Sequence, residues 1–253
     1  MRLLVLVVGS FLVGAPLPAR AEQPAERVLR VLDAAMNTAE DQSFEYDVST
    51  WEPGKGERAM GMNVTVKSPG LRRVDFVSPG DVKGMRVLVR SLSEMYVYLP
   101  SFHKLRRVAG HVRSQSFMGS ALSQDDMSIS RYGEAYVASR LVREDGISWT
   151  IELTRRPKSD FPYARLQITV LKKERMPSEI LYFNDAGTKV KSEQRLGYSC
   201  KGSPRGQVCN AYEMRMIDHT RNGLWTKLIM KKWTINTNVP ASFFTQRDLQ
   251  RGG

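Results

Sequence analysis

The sequence is poor in the residues that most catalytic and metal sites use. Its 253 residues include two cysteines and three histidines. His103, His111 and His219 form neither an H-x-x-x-H nor an H-E-x-x-H pair, so the sequence offers no zinc motif. Residues 197–201 lack the second glycine of a nucleophile elbow, because Lys201 stands in its place. We therefore expect a protein that is not an enzyme and that binds neither a metal nor a cofactor.

Long apolar runs are also missing, except at the N-terminus. There, Arg2 precedes an apolar run of about eleven residues, whereas a membrane span needs roughly 20. The run is followed by Gly14, Pro16 and an A-x-A cleavage site that ends at Ala21. This pattern predicts a cleaved signal peptide over residues 1–21, the alternative being an uncleaved anchor. The remaining residues 22–253 suit a single domain exported to the periplasm.

Acidic residues are outnumbered by basic ones. The formal charge of the chain is +12, and without Arg2 and Arg20 it would be +10, from 36 basic and 26 acidic residues. In a cytosolic protein this balance would favour nucleic acid as a partner. Export excludes nucleic acid, and an anionic membrane surface or an acidic partner becomes the better interpretation. A basic, solvated surface without a partner is the alternative.

The two cysteines, Cys200 and Cys209, flank a Gly-Ser-Pro-Arg-Gly turn between two strand-like segments. A hairpin would bring them within bridging distance, and disulfides persist in exported proteins. We predict a disulfide that closes a loop of about ten residues and stabilises the fold by on the order of 2–3 kcal/mol. The alternative, a redox or metal pair, lacks the C-x-x-C spacing.

The apolar periodicity predicts one good helix and many strands. Val28, Leu29 and Leu32 recur at helical spacing, and weaker helical segments occur at residues 123–139 and 241–249. Asp125 and Asp126 follow Ser123 in the pattern of a helix start rather than of a catalytic acid pair. The other segments alternate with a period of two between turn residues, which is typical of antiparallel strands. Examples are residues 60–67, 147–155, 164–172 and 188–197.

The predicted strands need more cover than the predicted helices provide. An antiparallel sheet with one apolar face must bury that face, so we expect a large sheet that curls around itself, with helices over its open side. Methionine and aromatic side chains suit an interior that accepts variable apolar shapes, although they also fill ordinary cores. The candidates for a lined cavity are Met60, Met62, Val64, Tyr96, Tyr98, Trp149, Ile151, Met214, Met216 and Trp225.

Residues 96–110, YVYLPSFHKLRRVAG, admit three interpretations: a phosphate-binding patch, a catalytic loop around His103, or the rim of an apolar container. The aromatic stretch that ends at Pro100, the basic stretch from Lys104 to Arg107, the FMGS loop and the acids at Asp125 and Asp126 follow in order. This order, with the ending around Phe244-Thr245 and Leu249, resembles the outer-membrane lipoprotein-sorting protein family of LolA-like periplasmic carriers. The FMGS loop and the cysteine hairpin are typical of a divergent branch.

The resemblance implies an α+β, mostly β fold: a strongly curved antiparallel sheet that forms an unclosed barrel, with helices as a lid over an apolar cavity. It also implies a monomeric carrier that holds acyl chains of a lipid or lipoprotein, contacts membranes transiently and moves its cargo from an inner-membrane transporter to an outer-membrane acceptor. A non-catalytic adaptor of a resistance-nodulation-type lipid exporter is the alternative. The rim and partner candidates are then Lys104, Arg106, Arg107, Phe117 and Met118.

Overall fold

The structure is a computed structural model that describes residues 22–109 and 113–251, so the predicted signal peptide lies outside the described residues. No helix in these two ranges has the length and apolar character that a membrane crossing requires. The helices are α1 (Pro24–Met36), α2 (Gln124–Ser128), α3 (Tyr132–Ala135) and α4 (Gln246–Arg251). The strands are β1 (Asp41–Glu52), β2 (Gly56–Lys67), β3 (Leu71–Ser78), β4 (Arg86–Ser91), β5 (Glu94–Leu99), β6 (Lys104–Arg107), β7 (Tyr136–Glu144), β8 (Ser148–Arg155), β9 (Arg165–Leu171), β10 (Pro177–Phe183), β11 (Lys189–Ser203), β12 (Gly206–Asp218) and β13 (Leu224–Ile235).

The strands form one antiparallel sheet in the order β6-β5-β4-β3-β2-β1-β13-β12-β11-β10-β9-β8-β7. The chain starts in the middle of the sheet and runs outward to the edge strand β6. It then continues at the opposite edge with β7 and returns inward until β13 pairs with β1. The edge strands β6 and β7 are not paired with each other, so the sheet is not closed. This agrees with the expected unclosed barrel.

The sheet is strongly curved. Strands β3 and β9 stand seven places apart, which in a flat sheet would separate them by roughly 33 Å at about 4.8 Å per strand. However, Val74 of β3 and Leu166 of β9 line the same cavity. Gly197 lies within β11 at a φ of 66°, a conformation that glycine adopts without strain, and it allows this long strand to bend.

The segment between β6 and β7 crosses the inner face of the sheet. We refer to its described part, residues 113–135, as the crossing segment. The backbone N–H of Ala121 donates to Oγ1 of Thr226 on β13 at 2.8 Å, and Asp33 of α1 accepts from the N–H groups of Tyr132 (2.7 Å) and Gly133 (2.9 Å). The crossing segment and α1 therefore cover the inner face together.

The outer face of β3 to β6 is covered as well, by the C-terminal residues. Arg73, which is 2% exposed, pairs with Asp75 at 2.9 Å and with Asp248 of α4. A second hydrophobic cluster lies on this face, separate from the main core, and its buried members are Leu88, Tyr98, Phe244 and Leu249.

Most predictions of local structure are confirmed. The amphipathic helix is α1, with Val28, Leu29 and Leu32 buried, and the alternating segments lie in β2, β8, β9 and β11. Ser123 caps α2 and forms a capping box with Asp126, so the acids do mark a helix start. The residues 123–139 hold two short helices, and from residue 136 onwards they belong to β7. The disulfide between Cys200 and Cys209 joins paired positions of the β11–β12 hairpin.

Candidate functional site

A cavity of about 230 Å³ lies between the inner face of the sheet and the crossing segment. Strands β1 to β3 and β9 to β13 provide its walls, while the end of α1 and the crossing segment complete it. Its apolar wall is continuous across the first three strands and β13, and includes Phe44, Met62, Val64, Val66, Val74 and Leu228.

One polar group of the cavity joins the crossing segment to β11. Asp126 of α2 accepts a hydrogen bond from Nζ of Lys191 at 2.7 Å and another from the hydroxyl of Tyr163, also at 2.7 Å. Its Oδ2 also accepts from the backbone N–H of Ser123 at 2.7 Å. Because Lys191 and Asp126 are almost completely buried, this ion pair fixes α2 over the sheet.

A second polar group lies two residues further along β11. Glu193 accepts a hydrogen bond from the hydroxyl of Tyr182 at 2.6 Å and pairs with Nε of Arg195. Burial, with the nearby charge of Glu193, raises the pKa of Tyr182 well above its ordinary value, so the phenol stays protonated and donates. Since alternate residues of a strand share a face, Lys191, Glu193 and Arg195 all point to the inner side.

Arg72 of β3 is the third polar element of the cavity. Its guanidinium donates to the backbone carbonyl of Met127 and lies 3.5 Å from that of Ile129, both in the crossing segment. Burial lowers the pKa of Arg72 to about 10, so the group is still charged at neutral pH. Within residues 22–109 and 113–251, no carboxylate forms an ion pair with Arg72.

The structure brings three of the predicted cavity residues together. Met62 and Val64 of β2 and Met214 of β12 line the cavity, and their contact with a ligand stays a prediction. Four other candidates pack in or against the main core instead of forming the cavity wall: Met60, Trp149, Ile151 and Met216.

Three predicted cavity residues lie on the wrong face of the sheet. Along β5, Met95 and Val97 face the main core, whereas Tyr96 and Tyr98 belong to the outer cluster under the C-terminal residues. Both faces of this strand are covered, so its aromatic side chains did not identify the inner face. Trp225 is an odd number of residues from the cavity-lining Leu228 on β13, which places it on the outer face too.

The predicted rim residues are divided between two places, and none lines the cavity. Lys104, Arg106 and Arg107 are exposed on the edge strand β6. Phe117 is buried in the main core, where its ring lies 5.5 Å from that of Phe76, and Met118 packs against the same core. A role for the three basic residues in attracting a head group or a partner stays a prediction, whereas Phe117 is a core residue.

Sequence reasoning missed the charged residues inside the cavity, Arg72, Glu193 and Arg195, and it assigned Asp126 only a capping role. In TKVKSEQRLG the charged Lys191, Glu193 and Arg195 alternate with Val190 and Leu196, so periodicity alone would place the apolar pair on the inner side. In the structure Leu196 is exposed, whereas Glu193 and Arg195 line the cavity. For Arg72 the sequence holds no signal either, because the neighbouring Arg73 is equally basic and faces the other side.

Comparison with solved structures shows a shared fold. A DUF1329 family protein from Desulfovibrio piger superposes with a TM-score of 0.77 at 21% identity, covering 90% of this chain and 100% of that one. A domain designated an outer membrane lipoprotein-sorting protein, from Vibrio parahaemolyticus, gives a TM-score of 0.76 at 19% identity with the same coverage. A LolA superfamily protein from Nitrosomonas europaea gives 0.71 at 18% identity, covering 88% of this chain and 98% of that one.

Sequence comparison identifies a family as well. No curated protein matches the sequence. A family model described as uncharacterized protein matches residues 72–251, from Arg72 in β3 to the end of α4. The match covers well over half of the chain and includes the crossing segment and β11. The chain therefore belongs to the family that this model describes, and it shares its fold with the three solved structures.

Proposed function

We propose that the protein is a periplasmic carrier that holds the acyl chains of a lipid or lipoprotein in the cavity and shuttles this cargo from the inner to the outer membrane. The observation that carries the proposal is the cavity itself: an apolar wall formed by β1, β2, β3 and β13, covered by a segment that polar contacts and apolar packing hold in place. The LolA-like fold, a fold for binding and transport rather than catalysis, supports the proposal.

The volume of the cavity sets a condition on how cargo enters. About 230 Å³ exceeds the roughly 150 Å³ of an engineered cavity that binds benzene, but is smaller than the roughly 300–1,000 Å³ of pockets that enclose drug-sized ligands. A whole acyl chain therefore requires the crossing segment to move away from the sheet. Such a movement breaks polar contacts, which water replaces at little net cost, and separates apolar side chains such as Phe117 and Leu122 from the core, where the acyl chain would take their place.

Mass spectrometry of an organic extract of the purified protein tests the proposal directly. We expect co-purified lipid, together with saturable binding of a fluorescent fatty acid that phospholipid or a triacylated peptide displaces. Val64→Trp should reduce this binding strongly, because the indole occupies the cavity beside Phe44 and Val74, its neighbours on the paired strands.

Asn63→Trp is the matched control, since Asn63 precedes Val64 on β2 and is exposed on the outer face. This variant should bind as the wild type does. If the wild-type protein is folded by circular dichroism yet contains no lipid and shows no saturable binding, the carrier proposal fails, and a non-catalytic adaptor or accessory subunit of a lipid exporter becomes the better explanation.

A further inference from the structure

The charges of the cavity do not balance. The charged residues that line it are Arg72, Asp126, Glu193 and Arg195. Asp126 pairs with Lys191, and Glu193 pairs with Arg195. Arg72 contacts backbone carbonyls, which accept hydrogen bonds without supplying a negative charge. In the described part of the chain, the cavity thus holds one cation in excess.

Nearby phenols do not supply the missing negative charge. Tyr46 lies close enough to influence Arg72, but burial raises the pKa of Tyr46 to about 12, so it is neutral in the periplasm. Arg195 also acts on Arg72, and the repulsion between the two guanidinium groups disfavours the charged state of Arg72. Arg72 is half-buried, and a charge that is partly withdrawn from water without a counter-ion is costly; a bound anion would reduce this cost.

The excess cation borders the apolar wall. Arg72 is paired with Val66 in the β2–β3 register, and Val74, two residues further along β3, lines the same cavity. A guanidinium has five N–H donors in a planar fork, and Met127 and Ile129 are the carbonyl partners of Arg72. Donors thus remain for a carboxylate or a phosphate at the point where the apolar wall ends.

We propose that the cavity selects an amphiphile with an anionic head, a carboxylate or a phosphate, which binds the guanidinium groups of Arg72 and Arg195 while its alkyl chain lies against the wall formed by β1 to β3. The inference rests on the carrier function proposed above and specifies the class of its cargo. It also assigns the head group to the interior, rather than to the exposed basic residues of β6.

The test compares three probes with the same alkyl chain: hexadecanoate, hexadecyl phosphate and hexadecanol, each displacing an uncharged fluorescent reporter. The wild type should bind at least one anionic probe about tenfold or more tighter than hexadecanol, the range expected for hydrogen bonds to a charged group. The preferred anion shows whether a carboxylate or a phosphate is the natural head. Arg72→Gln should abolish the preference and leave the affinity for hexadecanol within about threefold.

Two further variants separate recognition from structure. Arg72→Lys keeps the charge and should keep part of the preference for the anionic probes. This variant keeps the test valid if Arg72→Gln proves poorly folded. Arg106→Gln removes an exposed charge of β6 and should keep all of the preference.

Equal wild-type affinity for the three probes would overturn the anionic-head inference but not the carrier. A loss of hexadecanol binding in Arg72→Gln as large as that of the anions would show that Arg72 only holds the crossing segment, which also overturns it. A folded wild type that binds none of the probes would refute both proposals.

Discussion

Replacement of Lys191 by methionine tests whether the buried ion pair holds the cover of the cavity in place. The side chains of Lys191 and Asp126 are 10% and 3% exposed, so the variant leaves a buried carboxylate without its counter-ion. Such a loss typically costs 3–5 kcal/mol, and hydrogen bonds from Tyr163 and Ser123 still reach Asp126. We therefore expect a loss of about 3 kcal/mol, which corresponds to a decrease in Tm of roughly 6–12 °C for a chain of this size.

The chain provides a matched control on its surface. Lys231 and Asp47 also form a lysine–aspartate pair, with an Nζ–Oδ2 distance of 3.5 Å, but their side chains are 58% and 68% exposed. Lys231→Met should change the free energy of unfolding by less than about 0.5 kcal/mol. The double variant Lys191→Met/Asp126→Asn removes the uncompensated charge and should recover part of the loss.

Urea unfolding and thermal melts measure these changes, and hydrogen exchange at the amide of Met127 reports on α2 itself, because this amide donates to Ser123 within the helix. Exchange should accelerate in Lys191→Met more than in the Lys231 variant. A change in stability below about 0.5 kcal/mol with unaltered exchange would refute the reasoning, since it would mean that the pair neither compensates a buried charge nor fixes α2.

Three further predictions concern other parts of the chain. Replacement of both Arg106 and Arg107 by Gln should slow transfer of labelled lipid from anionic vesicles at low salt, with Tm almost unchanged. The difference from the wild type should shrink above about 0.15 M salt. Equal transfer at low salt would exclude a role of these residues at the membrane. Cys200 and Cys209 should resist alkylation until a reductant is added, and replacing both by Ser should cost on the order of 2–3 kcal/mol in urea unfolding; full labelling without reductant would contradict the bridge. Burial raises the pKa of Asp125 to about 6, above its unfolded value near 4, so the folded state binds a proton more tightly than the unfolded state does. The free energy of unfolding should therefore fall as the pH rises from 4 to 6. Asp125→Asn should flatten this slope, and an unchanged slope would show that another group titrates.

Strand and helix positions were predictable because their periodicity is local. The alternation in β2, β8 and β9 and the stripe of α1 each lie within one segment, and the cysteine hairpin needs only a turn between two strands. The face assignments of Tyr96 and Tyr98 were not predictable in this way. They depend on the C-terminal residues, which follow more than 130 positions later in the sequence and cover the outer side of β5.

The sequence predicted the existence of the cavity better than the charged residues that line it. On β11 the charged residues Lys191, Glu193 and Arg195 alternate with Val190 and Leu196, so the sequence of the strand alone would assign the charged side to the outer face. The position of Arg72 opposite the carbonyls of Met127 and Ile129 depends on the path of the crossing segment over the sheet. That path follows from the strand order, which joins β1 to β13 and leaves β6 and β7 at opposite edges, and no local pattern encodes it.

The crossing segment is attached at both ends, through β6 to one edge of the sheet and through β7 to the other. A cover of this kind cannot swing outward like a hinged door. Its distance from the sheet depends instead on the separation of the two edge strands, which the curvature of the sheet sets. Flattening of the sheet draws the two edges apart and pulls the segment taut, while stronger bending gives it slack to rise. The curvature of the sheet and the position of the segment over the cavity are therefore linked through β6 and β7.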